Sequence, residues 1–119
     1  MNNLIVGRMS SIIHRELVSI VNRVIQNSQI GFISITDVKL NKDFSLAKIF
    51  YTIIDKKPEI LNLAKNTLEE NKKVIRKELA IKIRKKICYI PDLIFKYDYE
   101  LLHGQRIEEL LNKLNKLNK

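Results

Sequence analysis

The sequence predicts one α+β domain of order αββααβ with a further C-terminal helix, its three-stranded sheet covered on one face by helices. Three observations lead there. Apolar residues recur at spacings of three and four from Leu4 to about Asn27. A stretch rich in β-branched and aromatic residues, Ile30 to Ile54, is centred on the turn residues Asn41-Lys42-Asp43. A second helical region opens at Pro58 and closes at Pro91. A length of 119 residues suits a single domain, residues 1–119, able to bury one core without disulfide or metal.

In the first helix Ile5, Met9, Ile12, Ile13, Leu17, Ile20, Val21 and Val24 form the buried face. Arg8, Ser11, Arg15, Ser19, Asn22 and Gln26 fall on the opposite, polar face. Asn27-Ser28-Gln29 breaks the pattern, and Gly31 stands where the chain turns into an extended segment. In the first strand Ile33 and Ile35 share one parity and Val38 and Leu40 the other, so a bulge near Thr36-Asp37 is needed for all four to face the core. The second strand presents Ala47, Ile49, Tyr51 and Ile53 as its core face and Leu46, Lys48, Phe50 and Thr52 as the other.

Pro58 begins a helix whose apolar positions Ile60, Leu61, Ala64 and Leu68 fade at Glu69-Glu70-Asn71. Val74, Ile75, Leu79, Ile83 and Ile87 resume at a new phase, which predicts two helices with a break near Asn71. Leu93 to Tyr99 alternates as a third strand, and Gln105 to Lys119 returns to a Leu-rich helical pattern that frays at its end.

The formal net charge is +9, with a pI near 9.7. Such an imbalance adds nothing to fold stability, but a polyanionic partner would use it directly, so nucleic acid is the leading partner class. The stretch Lys72 to Lys86 concentrates the charge: Lys72, Lys73, Arg76, Lys77, Lys82, Arg84, Lys85 and Lys86 surround one acid, Glu78. On a helical wheel Lys73, Lys77 and Arg84 fall within about 40° of one another, a ridge able to track phosphates. A merely solvated face usually mixes signs, which this one does not. With Arg8 and Arg15 of the first helix, these ten residues are the candidate RNA contacts.

Other function classes find little support. No apolar stretch approaches the ~20 residues needed to span a bilayer, and the first residues lack the plan of a secretory signal, so a cytoplasmic location is expected. The single cysteine, Cys88, allows no internal disulfide framework and, with only His14 and His103, no zinc-ligand spacing. No metal or cofactor is expected. There is no phosphate loop and no nucleophile–base arrangement, and His14 lies at the margin of an apolar stripe where packing residues are common, so no enzyme is expected. Phe50 and Tyr51 could stack bases, but without a Gly-containing RNA-recognition signature they read as sheet-packing residues.

The element order is that of a KH-like domain of the second topological type. From Arg8 to about Leu111 the chain resembles the ribosome-binding factor A family. The resemblance rests on Arg8 with Glu16, on Ile33-Ser34-Ile35-Thr36-Asp37-Val38 with Leu40 and Asp43, on Ala47-Lys48, on Ile75-Arg76 with Leu79, and on Pro91-Asp92-Leu93-Ile94-Phe95. It implies a monomeric, non-enzymatic factor that binds the free 30S subunit and its 16S rRNA late in maturation, supports processing of the rRNA 5′ end, and serves growth in the cold.

The chain departs from the family pattern in three places. Asn71, Lys72 and Lys73 stand where an Ala-x-Gly kink is usual, which predicts a less sharp break. Asn27-Ser28-Gln29 replaces Asp-Pro-Arg, and Cys88 stands where arginine is common. The glycines are Gly7, Gly31 and Gly104, so no Gly-x-x-Gly clamp on single-stranded RNA can form, and phosphate and shape contacts should dominate. The alternatives are a generic basic RNA-binding module without an assembly role, or a protein-interaction or membrane-surface module built on the last helix. In that helix Ile107, Leu110, Leu111, Leu114 and Leu117 line one side, and Lys113, Lys116 and Lys119 carry charge.

Overall fold

Alternation of apolar and polar residues in the two central segments builds the sheet, and the helical segments then cover its apolar face. The computed structural model describes residues 2–85 and 90–99. Their order is α1 (Asn2–Val24), β1 (Ile33–Leu40), β2 (Leu46–Ile53), α2 (Pro58–Glu70), α3 (Lys72–Ile83) and β3 (Asp92–Tyr97). The predicted C-terminal helix, Ile87 and Cys88 lie outside the described residues.

β1 pairs antiparallel with β2, and β2 pairs parallel with β3, in sheet order β1-β2-β3. A parallel pair needs a long crossover, and the helix pair α2–α3 supplies it. The β1–β2 register shifts between Ile35 and Asp37, so Thr36 is the extra residue of a bulge. Ile33, Ile35, Val38 and Leu40 are consequently all buried, as the parity argument requires. In the hairpin loop the Leu46 N–H donates to Asn41 Oδ1 (2.9 Å), and the Ser45 hydroxyl and N–H donate to Asp43 Oδ1 (2.7 and 3.1 Å). Those bonds hold the Asp43 carboxyl below its usual range, the hydroxyl contributing most.

The core is one cluster. Ile13, Leu17, Ile20 and Val21 come from α1, Ala64 and Leu68 from α2, and Ile75, Leu79 and Ile83 from α3. They meet Ala47, Ile49, Tyr51 and Ile53 of β2 and Leu93 and Phe95 of β3. Among the described residues nothing covers the opposite face of the sheet, where Lys48 and Lys96 are exposed.

Polar side chains seat α1 on β1. Asn22 Nδ2 donates to the Ile33 carbonyl and its Oδ1 accepts the Ile33 N–H, both at 2.8 Å. His14 Nε2 lies 2.6 Å from the Ile35 carbonyl oxygen beside the bulge, and because that oxygen only accepts, the ring nitrogen donates. Asn22 therefore does not belong to the solvent face that the helical wheel assigns it; it sits at the edge of that face, where β1 runs past.

The break between α2 and α3 is one residue long. Asn71 adopts φ −101°, ψ 6°, and its backbone N–H and side-chain amide both donate to the Thr67 carbonyl (3.1 and 2.8 Å). This φ is negative and open to any residue, and Lys73, which stands at the glycine of the kink pattern, lies within α3. Arg76 ties α3 to the entry of β3: Nε donates to the Pro91 carbonyl (3.0 Å) and Nη2 to the Ile90 carbonyl (2.8 Å), with Asp92 Oδ1 3.6 Å from Nε.

Two stability predictions follow from these ties. Asn22→Ala orphans both backbone groups of Ile33 that the side chain satisfies and should cost about 1–3 kcal/mol in urea unfolding. Arg76→Ala should cost about 1–2 kcal/mol, whereas Lys73→Ala on the same helix should stay within about 0.5 kcal/mol. Equal melting of the two variants would contradict the structural role of Arg76.

Candidate nucleic-acid interface

The interface is built by a helix that must bury Ile75, Leu79 and Ile83 and so turns its cations outward. All three are fully buried. Lys73, Lys77, Lys82, Arg84 and Lys85 are exposed, and none has an ion-pair partner among the described residues. Lys86 lies outside the described residues.

The other predicted cations are engaged to differing degrees. Lys72 bridges Glu69 across the helix break at 3.0 Å, and Arg76 is directed at the backbone of residues 90–91. On α1, Arg8 is exposed with no ion-pair partner among the described residues. Arg15 is 67% exposed, with Nε 3.9 Å from Glu16 Oε2. At that distance and exposure the pair contributes little and leaves the guanidinium accessible.

The wheel did not identify Arg23. Its Nη2 donates to Glu78 Oε1 at 2.8 Å, so the single acid of the basic stretch is countered from α1. The signal in the sequence is its place at the margin of the apolar stripe, on the side away from His14, where a neighbouring helix would run. At about 100° per residue, Lys82 shares the flank of α3 that carries Glu78, and Lys85 follows in the turn after the helix. Lys73, Lys77 and Arg84 form a row on the opposite flank, spanning roughly 16 Å of helix.

Between the two rows lie Val74 and Ile81, 48% and 58% exposed. Val74 therefore leaves the buried stripe in which the sequence placed it, because the α3 core face narrows to Ile75, Leu79 and Ile83. The outer surface of α3 is two cationic rows flanking a narrow apolar strip.

His14 is occupied by the Ile35 carbonyl, and Asp98 accepts a hydrogen bond from the Thr36 hydroxyl. Among the described residues no cluster of His, Cys, Asp or Glu could hold a metal ion, and no helix is long and apolar enough to cross a membrane. Lys39 Nζ stands 5.4 Å from the Phe50 ring centroid on the sheet face opposite the helices.

Comparison with known proteins gives a consistent result. Residues 6–111 match the family described as ribosome-binding factor A. The ribosome-binding factor A of Phytoplasma mali is 45% identical over 109 residues, covering 92% of this chain and 95% of the relative. The crystal structure of ribosome-binding factor A from Thermus thermophilus superposes with a TM-score of 0.66 at 15% identity, over 77% of this chain and 94% of that one. A homology model of the Thermus thermophilus protein, fitted into a cryo-electron-microscopy map of a 30S–RbfA complex, gives 0.62 at 17% identity, over 73% and 88%. At these identities the structures establish the shared fold, while the profile match and the Phytoplasma relative establish the family. This chain belongs to the ribosome-binding factor A family.

Proposed function

We propose that the chain is a non-catalytic assembly factor that docks on the small ribosomal subunit late in its maturation, meeting rRNA phosphates with the cations of α3 and α1. The observation that carries this reading is the set of five exposed cations on α3 and the turn that follows it, with no ion-pair partner among the described residues, in a helix whose one acid is already countered by Arg23. Charge left uncompensated on a rigid, well-packed helix suits phosphate contact, because the helix need not reorganise to bind. The Thermus relative fitted into a map of a 30S complex supports the 30S subunit as the partner. Maturation of the 16S rRNA 5′ end and a role in the cold are the finer parts of the proposal, and both rest on the family resemblance.

The five cations of the α3 side, before Arg8 and Arg15 are counted, predict affinity for small-subunit rRNA falling by at least roughly 10²–10³-fold between 50 and 200 mM salt. The variant Lys73→Ala/Lys77→Ala/Arg84→Ala should lower the salt slope by about three and bind more weakly across sequences, while melting close to the unmodified protein. A control changed at Lys113, Lys116 and Lys119 should keep the full slope. Titrations at several salt concentrations, with thermal melts alongside, check both. If the first variant melts normally and binds as tightly as before, the α3 rows are solvated faces only.

The assembly role has its own test. Cells lacking the protein should accumulate immature small subunits with an unprocessed 16S 5′ end, more at low temperature than at high. Normal particle profiles in the cold would reduce the proposal to a basic RNA-binding module without an assembly role.

A further inference from the structure

A second feature of the molecule lies away from the α3 rows. Between the N-terminal half of α2 and the end of β3 is a cleft of about 690 Å³. Its volume is within the range of sites that take a small organic ligand. Tyr51 and Tyr97 are cross-strand partners on the helix-facing side, with ring centroids 5.6 Å apart at 88°, and Tyr99 lies against Tyr97 at 5.0 Å and 65°. Phe95 completes the aromatic lining beside Leu61. Tyr51 and Phe95 are buried, Tyr97 is half-buried and Tyr99 is 59% exposed, so the rings grade from floor to rim. Burial, with Tyr99, Tyr97 and Glu69 adding to it, pushes the Tyr51 phenol up to about 12. At neutral pH the floor is therefore uncharged.

The rim is cationic. Lys65 of α2, exposed, lines the cleft, and the exposed Lys56 places Nζ 5.7 Å from the Tyr97 ring centroid, bonded to Thr52 Oγ1 at 2.9 Å. The acid in the lining, Asp98, already accepts the Thr36 hydroxyl. An aromatic floor with lysines at its mouth calls for a ligand that unites a flat π-face with an anion one bond-chain away. A nucleotide is that ligand.

We propose that this cleft receives one unpaired nucleotide of RNA, its base against Tyr97 and Tyr99 and its phosphate at Lys65 and Lys56. The proposal rests on the RNA-binding reading above and adds a base-stacking contact to it. The cleft draws on Pro58, Leu61, Asn62 and Lys65, at the opposite end of α2 from Asn71, so it is separate from the cationic rows of α3. Division of labour results: the α3 rows set position through phosphates, and the cleft selects unpaired over paired RNA, because only an unstacked base presents a free face.

The test compares a short unstructured oligoribonucleotide with the abasic oligomer of the same length, each titrated into the full-length protein at fixed salt. The base-bearing oligomer should bind roughly 5- to 100-fold tighter and quench tyrosine fluorescence. Tyr97→Leu/Tyr99→Ala should abolish that ratio with the salt slope unchanged. Should this double variant fold poorly, Lys56→Ala/Lys65→Ala changes only exposed positions and should weaken the base-bearing oligomer more than the abasic one. The α3 triple variant should weaken both oligomers and preserve their ratio, so failure of phosphate binding and failure of the cleft are read separately. Equal affinity for the two oligomers overturns the proposal. So does a set of nuclear Overhauser contacts from the Tyr97 ring to residues 100–119 that RNA leaves unchanged, since the chain itself would then fill the cleft.

Discussion

Burial of Ile75, Leu79 and Ile83 beneath α3 is the constraint on which the rest depends. Each side chain removed from water contributes roughly 1.5–3 kcal/mol, an upper estimate, so the stripe supplies on the order of 5–9 kcal/mol toward holding this helix. Opposing it is repulsion among exposed cations. Two unit charges about 8 Å apart in water repel by about 0.5 kcal/mol before salt screening. The apolar stripe outweighs several such pairs. A helix fixed this firmly can leave Lys73, Lys77, Lys82, Arg84 and Lys85 without ion-pair partners among the described residues, where a marginal helix would need acidic neighbours for its own stability.

The same constraint decides which cations are available for a partner. Once the stripe faces α1 and the sheet, Glu78 points along the α1 flank, where Arg23 reaches it, and Arg76 points toward the entry of β3, where two carbonyls accept its donors. Basic residues that look equivalent in the sequence thus divide by azimuth. At the edges of the buried stripe Arg76 meets protein acceptors while Lys82, on the other edge, meets solvent, as do Lys73, Lys77 and Arg84 nearer its antipode. Lys72, at the helix start, falls to Glu69 because the one-residue break at Asn71 leaves the two within a turn of each other.

Features set by local chemistry were legible in the sequence. Parity in β1 predicted the bulge at Thr36, Pro58 marked the start of α2, and the change of phase after Leu68 placed the break at Asn71. Features set by a neighbour were not. Asn22 counts as polar on any wheel, yet β1 passes at that azimuth and its backbone takes both ends of the amide. Val74 counts as apolar, yet nothing covers it among the described residues and it stays exposed. Periodicity gives the direction of a side chain from its helix axis. It gives no information about what stands in that direction, which is why the ten-residue candidate set mixed free cations with Arg76 and Lys72.

The helix break shows how the mode of RNA contact depends on one backbone position. A glycine-rich turn between two helices lets a phosphate approach the main chain, where N–H donors can hold it. Here Asn71 turns the chain at negative φ, and its N–H and amide are both spent on the Thr67 carbonyl. The backbone N–H of that residue is not free for a ligand, and Lys73, at the glycine of the kink pattern, carries a Cβ. If RNA docks on this side as proposed, its recognition must pass through long side chains carrying full charges. That exchanges the fixed geometry of a backbone cradle for contacts that are adaptable, sequence-tolerant and governed by counterion release. Any preference for unpaired RNA has to arise elsewhere on the surface, and among the described residues the aromatic cleft at the end of β3 has the chemistry to supply it.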